Sequence, residues 1–172
     1  MQAATRYYRE QLKQSQRAID YLKRRGLSGE IAARFGIGYA PEAWQNLNSI
    51  TSSYQDSSLV ETGLVIEGEA GKRYDRFRDR IMFPIVNQRG FVIGFGGRVI
   101  GAGEPKYLNS PETPLFEKGR ELYGLFHARD AIKSENRVMV VEGYMDVVAV
   151  AQFGIDFAVA TLGSDNTRDN LE

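Results

Sequence analysis

The stretch VMVVEGYMDVVAVAQFG, residues 138–154, sets an apolar run against a glutamate and a glycine, then continues in an almost unbroken apolar helix pattern. Residues 138–141 read as a strand buried on both faces of a parallel sheet, because such strands lack the polar alternation of a half-exposed one. Gly143 lets the backbone turn sharply, and a helix starts near Tyr144. In open α/β sheets, ligands gather beyond the carboxyl ends of the strands. That rule puts Glu142 on the functional edge, with Asp146 in the first helical turn facing the same crevice. Two close carboxylates repel, and a divalent cation relieves the repulsion. The residues alone leave a second reading open, in which Glu142 pairs with an arginine and Asp146 caps the helix.

Downstream, IDFAVATLG (155–163) is a second strand, so strand, helix and strand form a βαβ-like unit; GLFHARDAIKSENR (124–137) before it is helical. Farther upstream the period changes. IMFPIV (81–86) and FVIGFGGRVI (91–100) are apolar runs joined by NQRG, an antiparallel hairpin. Gly94, Gly96 and Gly97 in its second arm point to strand bending or close backbone approach. GAGEPKYLNSPETP (101–114) is too rich in Gly and Pro to be regular and reads as a long surface loop. GLVIEGEAGKRYDRFRDR (63–80) suggests a short strand, a turn and a basic segment. TRYYREQLKQSQRAIDYLKRRG (5–26) reads as one amphipathic helix, with Tyr8, Leu12, Ser15, Ile19 and Leu22 along one stripe. LSGEIAARFG is a second helix capped by Ser28 and stopped at Gly36. PEAWQNL starts another at Pro41, and 51–58 is a polar loop. The fold class is α/β: an α+β amino-terminal subdomain over 1–117 and a βαβ part over 118–172, with the boundary near Lys118.

The composition excludes several function classes. No cysteine and a single histidine, His127, rule out disulfides, a cysteine nucleophile and a zinc site built from cysteine and histidine. His127 has no partner cluster, which favours a structural or surface role. A net charge of +0 gives no global field toward nucleic acid or membrane, so any such role needs a local patch. No apolar run has the length of a membrane span and no signal-peptide pattern opens the chain, so a cytoplasmic location without membrane contact is expected.

The blocks YDRFRDRIMFPI, GFGGRV, PKYLNSPET, FEKGRELYG and VVEGYMDVVA, preceded by YLKRRGLSGEIAARFGIGYAP, occur in that order. Together they resemble the RNA polymerase core of bacterial DnaG-type DNA primases, from about Arg17 to Gly163. The resemblance implies that VVEGYMDV opens a Toprim fold, a Rossmann-like sheet shared with topoisomerases. It makes Glu142 a catalytic acid beside Mg²⁺ or Mn²⁺ ions and places Asp146 in the same acidic cluster. It matches Lys106 and Tyr107 to a pair on a ridge facing template and nucleotide, Lys118 to an active-site lysine, and Arg25 and Arg98 to a template-binding surface. Lysine serves phosphate as a point charge, arginine as a flat fork, and tyrosine offers a base a stacking face. Asn109 and Ser110 would add neutral phosphate or sugar contacts. Arg76, Arg78 and Arg80 alternate with Asp75, Phe77 and Asp79, so nucleic-acid binding by Arg76 and Arg78 competes evenly with local ion pairing. Without the flanking motifs, Lys106 and Lys118 would read as solvated charges and Arg25 as an answer to the helix dipole. The Met and aromatic positions of 144–157 read most simply as core.

The implied activity is synthesis of short RNA primers on a single-stranded DNA template from ribonucleoside triphosphates by two-metal transfer, with a replicative helicase as partner through a region absent here. Two departures bear on it. The zinc module's cysteines are missing, and no Asp-x-Asp follows the βαβ unit; Asp165 and Asp169 lack that spacing, and Leu171–Glu172 resembles a cloning remnant. The expectation is therefore a fragment without primer synthesis of its own. A single-stranded DNA- or nucleotide-binding module without chemistry is one alternative, and another Toprim enzyme, a nuclease or topoisomerase, is a second. Self-association is expected through unpaired strand edges at 138–141 and 157–162.

Overall fold

The computed structural model describes residues 1–163. The chain begins with two helices where the apolar stripe predicts one: α1 (Gln2–Gln14) and α2 (Gln16–Arg24). Ser15, on that stripe, leaves helical geometry at φ −105° and ψ 97°, and its hydroxyl accepts from the Ala18 N–H at 3.2 Å. A serine competes with the helix for backbone hydrogen bonds, so it breaks the run and caps the second half. α3 (Gly29–Arg34) is capped as expected, Ser28 Oγ accepting from the Ile31 N–H at 3.1 Å, and Gly36 ends it at φ +67°.

After β1 (Gly38–Ala40) no helix starts at Pro41. Asn46 Nδ2 donates to the carbonyls of Pro41 and Ala43 at 3.0 and 2.7 Å, which closes a turn and defers helical geometry to a short 3-10 segment, Asn46–Ile50. The polar stretch 51–58 runs into a helix, α4 (Ser57–Glu61), whose first turn is capped by Asp56. β2 (Val65–Glu67) and β3 (Arg73–Asp75) form a small antiparallel hairpin, so the basic segment is partly a strand.

The expected hairpin is present as β4 (Arg80–Val86) and β5 (Val92–Val99). With β1 and β6 (Tyr107–Asn109) it makes a sheet of order β1-β4-β5-β6. β6 lies inside the stretch read as loop; Arg98 pairs with Tyr107 and Gly96 with Asn109, a pairing too short for Gly- and Pro-rich flanks to reveal. Close approach explains the β5 glycines: a Cβ on Gly96 would stand 2.4 Å from the Tyr144 ring, and one on Gly97 2.9 Å from Phe77.

A second sheet follows: β7 (Leu122–Tyr123), α5 (Leu125–Glu135), β8 (Met139–Val141), α6 (Tyr144–Gln152) and β9 (Ala158–Thr161), in order β7-β9-β8. β8 and β9 are parallel, the expected βαβ unit, while β7 is antiparallel to β9. Burial of 138–141 on both faces is corrected: Val138 and Val140 are each 51% exposed, because among the described residues β8 has β9 alone as a neighbour and no layer over that face. β9 is paired on both sides, so the open edge expected at 157–162 is filled by β7, which is too short to show in a sequence pattern.

The sheets meet through one hydrophobic cluster that includes Leu22, Phe35, Phe83, Tyr123, Tyr144 and Val147, and so crosses residue 118. Tyr144 sits at its centre, 5.3 Å from Phe83 and 5.2 Å from Tyr123 between ring centroids. A second cluster with Tyr8, Leu47, Phe77 and Phe95 fills the opposite face of the first sheet. Phe153, grouped above with the core, is 81% exposed at the end of α6. His127 lies against Phe35, ring centroids 4.6 Å apart, and burial with Arg34 nearby pushes its pKa down. Asp165, Asp169 and the Leu171–Glu172 pair lie outside the described residues.

Candidate active site

A cleft of about 930 Å³ opens where the sheets join, and Arg76, Tyr107, Asn109, Lys118, Glu142 and Asp146 line it. Each arrives on a different piece of scaffold. Glu142 follows directly on β8 and is exposed; among the described residues it makes neither a hydrogen bond nor an ion pair. Asp146 Oδ2 accepts from the Gly143 N–H at 3.1 Å, so it caps α6 and still faces the cleft. The two readings of Asp146 are thus compatible, and the arginine partner for Glu142 is absent among the described residues. Lys118 stands at the start of a 3-10 turn; its backbone N–H donates to the Glu112 carboxylate at 3.0 and 3.3 Å, which fixes the turn and leaves the ammonium to the cleft.

Arg76 leaves β3 half-buried, and its Nε is enclosed without an acceptor among the described residues. Burial lowers its pKa, yet a guanidinium remains charged. An enclosed, unpaired donor beside an open cleft is suited to an incoming anion. Asp75 sets the position of Arg76. Its buried carboxylate accepts from the Tyr54 hydroxyl at 2.6 Å and the Leu47 N–H at 3.2 Å, while the Arg76 N–H donates to the Leu64 carbonyl at 2.9 Å. Burial raises the pKa of Asp75, and these hydrogen bonds oppose the rise. Sequence reasoning missed Asp75 and Tyr54, because an acid alternating with arginines looks the same whether it pairs outward or anchors inward.

Tyr107 shows 47% of its surface. The Arg98 guanidinium lies 5.0 Å from its ring centroid, and Tyr144 meets it edge-on at 6.2 Å. Arg98 itself is buried, with Nε donating to the Tyr21 hydroxyl, so it props Tyr107 from behind and does not line the cleft. Arg25, at the end of α2, lies 5.5 Å from the Tyr21 ring. Arg25, Tyr21, Arg98 and Tyr107 therefore make a continuous run of alternating cations and rings from α2 to the cleft. Lys106 is exposed beside Tyr107, its ammonium 6.0 Å from the ring and outside the lining.

Three of the sequence-predicted residues serve the framework. Asn109 lines the cleft but donates Nδ2–H to the Leu162 carbonyl at 2.5 Å, tying the first sheet to the end of β9. Ser110 is fully buried, its hydroxyl accepting from the Phe95 N–H at 2.9 Å; it has no free surface for a phosphate or sugar. Arg78 points elsewhere, its guanidinium 3.9 Å from the Trp44 ring and donating to the Asp75 carbonyl at 2.7 Å. The local ion pairs expected between Arg76 or Arg78 and Asp75 or Asp79 do not form among the described residues.

Comparison with known proteins places these features. Residues 7–129 match the family model of the DNA primase catalytic core, N-terminal domain, and residues 136–172 match that of the Toprim domain. The chain is 55% identical over 166 residues to the DNA primase of Neisseria meningitidis serogroup B, covering 96% of itself and 28% of that protein. It is similar to a DNA primase domain from Pseudomonas aeruginosa (TM-score 0.91, 52% identity, 98% of this chain and 54% of that one). It is also similar to a DnaG primase catalytic domain bound to single-stranded DNA (TM-score 0.89, 50% identity, 98% and 56%). The chain spans less than a third of the length of such curated relatives, 28% and 30% for those of N. meningitidis and Escherichia coli K12. An antiparallel amino-terminal sheet leading into a Toprim βαβ unit, with family matches along both, identifies this chain as a member of the bacterial DnaG-type DNA primase catalytic core family.

Proposed function

We propose that the cleft is part of a nucleotidyl-transfer site, in a larger protein that makes RNA primers from ribonucleoside triphosphates on single-stranded DNA. The observation that carries this is the meeting of Glu142 and Asp146 with Arg76, Lys118 and Tyr107 in a single cleft. Carboxylate oxygens are hard donors suited to Mg²⁺ or Mn²⁺, and Glu142 is free of other partners among the described residues. Glu142 and Asp146 would hold the ion, with water or phosphate oxygens filling the remaining positions, since no group of three or more acidic or histidine ligands occurs among the described residues. When bound, such an ion lowers the pKa of the attacking hydroxyl and offsets charge on the departing pyrophosphate. Lys118 and the Arg76 fork would hold triphosphate or backbone oxygens, and Tyr107, fixed by Arg98 and Tyr144, would take a base on its free face.

The run Arg25–Tyr21–Arg98–Tyr107 favours a template path across α2 toward the cleft. Taken alone, the described residues also suit a single-stranded DNA- or nucleotide-binding module without chemistry, because only Glu142 and Asp146 supply carboxylates to the cleft. The match over 7–129 to a primase-specific domain weighs against another Toprim enzyme, a nuclease or topoisomerase. Residues 1–117 and 118–172 are proposed as the two subdomains, in a protein of the bacterial cytoplasm that meets a helicase through other regions. No helix among the described residues is long and apolar enough to cross a membrane.

Binding of a labelled single-stranded oligonucleotide, followed by anisotropy across a salt series, tests the reading. Log affinity should fall by about 0.7 per log unit of salt for each phosphate contact, and Arg76→Gln or Lys118→Gln should each flatten the slope by about one contact. Binding indifferent to salt and to both substitutions would refute it.

A further inference from the structure

Outside the cleft, the most exposed aromatic of the first subdomain is held unusually still. Trp44 is 61% exposed in the turn after β1. The Arg78 guanidinium lies 3.9 Å from its ring centroid, and Tyr74 of β3 meets it near-perpendicular at 5.5 Å, with Arg78 also 5.3 Å from the Tyr74 ring. The backbone beneath is pinned. The Trp44 carbonyl accepts from the Asp75 N–H at 2.7 Å, and Gln45 Nε2 donates to the Arg73 carbonyl at 2.8 Å. A large exposed aromatic normally loses rotamer freedom when a ligand stacks on it; here protein contacts have already removed that freedom. An indole with one face against a guanidinium and much of its surface open is a stacking surface for any nucleobase, because every base has a π-face.

Position favours nucleic acid over a peptide as occupant. Arg76, which lines the cleft, lies between Tyr74 and Arg78 in sequence. Two residues of extended chain reach about 7 Å, so the platform and the cleft are served by neighbouring side chains of one segment. A strand held at Arg76 by its phosphates would leave the cleft across cations and arrive at Trp44.

We propose that Trp44, Tyr74 and Arg78 form an accessory base-stacking platform for single-stranded nucleic acid outside the cleft. It rests on the nucleic-acid reading above and adds a contact point that neither the cleft nor the Arg25–Tyr107 run contains. Trp44 is the only tryptophan, so its fluorescence reports the site directly. The chain is titrated with oligothymidylate and with an abasic strand of equal length, while anisotropy of the labelled strand is followed in parallel. Quenching by oligothymidylate but not by the abasic strand is expected. Trp44→Ala should weaken oligothymidylate binding about ten-fold and leave abasic binding and the salt slope unchanged, whereas Trp44→Phe should retain most of the affinity. Strand binding seen by anisotropy, with Trp44 unquenched and Trp44→Ala unaffected, would overturn the platform and leave the cleft reading intact. Equal quenching by the abasic strand would also overturn it, since the contact would then be to backbone. No binding by either readout at low salt would remove the platform together with the cleft reading. Quenching by a basic or proline-rich peptide, with none by oligothymidylate, would assign the surface to protein and reject the proposal.

Discussion

Asp79 shows how one side chain can place a basic segment. It adopts a left-handed conformation, φ 50°, at the entry to β4. Its carboxylate takes both arms of Arg17 from α2, Nη2 to Oδ2 at 3.0 Å, and the Tyr39 hydroxyl from β1 at 2.9 Å. Burial pushes its pKa up, but the bonds from Arg17 and Tyr39 outweigh that, and the net value lies below the usual carboxylate range. A lowered folded-state pKa means that the carboxylate contributes stability above its unfolded pKa and loses it as pH falls through the folded one. Asp79→Asn keeps a residue tolerant of the left-handed region but removes the charge. It should cost about 1 kcal/mol near neutral pH, given the exposure of Arg17, and close to nothing at a pH below the folded value. Urea unfolding at the two pH values measures this; an equal loss at both would show that shape, not charge, holds the junction. None of this was legible in RYDRFRDR, where Asp75 and Asp79 look equivalent although one anchors inward and the other bridges to α2. Glu142, by contrast, was legible, because an acid after an apolar run and before a glycine has few other places to go.

Among elements, β8 is where physical expectation and structure part most instructively. An apolar run states only that a segment avoids water somewhere, and the faces are assigned by what packs on them. Val138 and Val140 share one face, by the period-two rule, and both stay half-exposed beside an edge unpaired among the described residues. Such an edge templates further strand pairing. We predict concentration-dependent self-association in sedimentation velocity, and its reduction by Val140→Lys, which puts a charge on the open face. A single concentration-independent monomer peak for the unsubstituted chain would contradict this. The β4–β5 hairpin was readable, because two long apolar arms around a four-residue turn leave little choice. The break at Ser15, the two-residue β7 and the three-residue β6 were not: the first keeps the stripe intact across a cap, and the others are shorter than any period.

The molecule as a whole brings two sheets together over one aromatic cluster, and the cleft is what remains at their junction. Gly96 admits the Tyr144 ring, Tyr144 packs on Phe83 and Tyr123, and the turn that carries Glu142 is thereby held opposite Arg76 and Lys118. Sequence order and motif content told of the family and of most cleft residues. They did not tell that Arg98 and Ser110 face inward, because burial of a polar side chain depends on partners far away in the chain, Tyr21 for one and Phe95 for the other. The central claim is that Glu142 and Asp146 form a divalent-ion site in this cleft. It is tested most directly by adding trace Mn²⁺ to the isotopically labelled chain and mapping paramagnetic broadening of its amide signals. Broadening should centre on Glu142, Gly143 and Asp146, extend to Lys118 across the cleft, and disappear in Glu142→Gln. Broadening centred elsewhere, or unchanged in Glu142→Gln, would contradict the account.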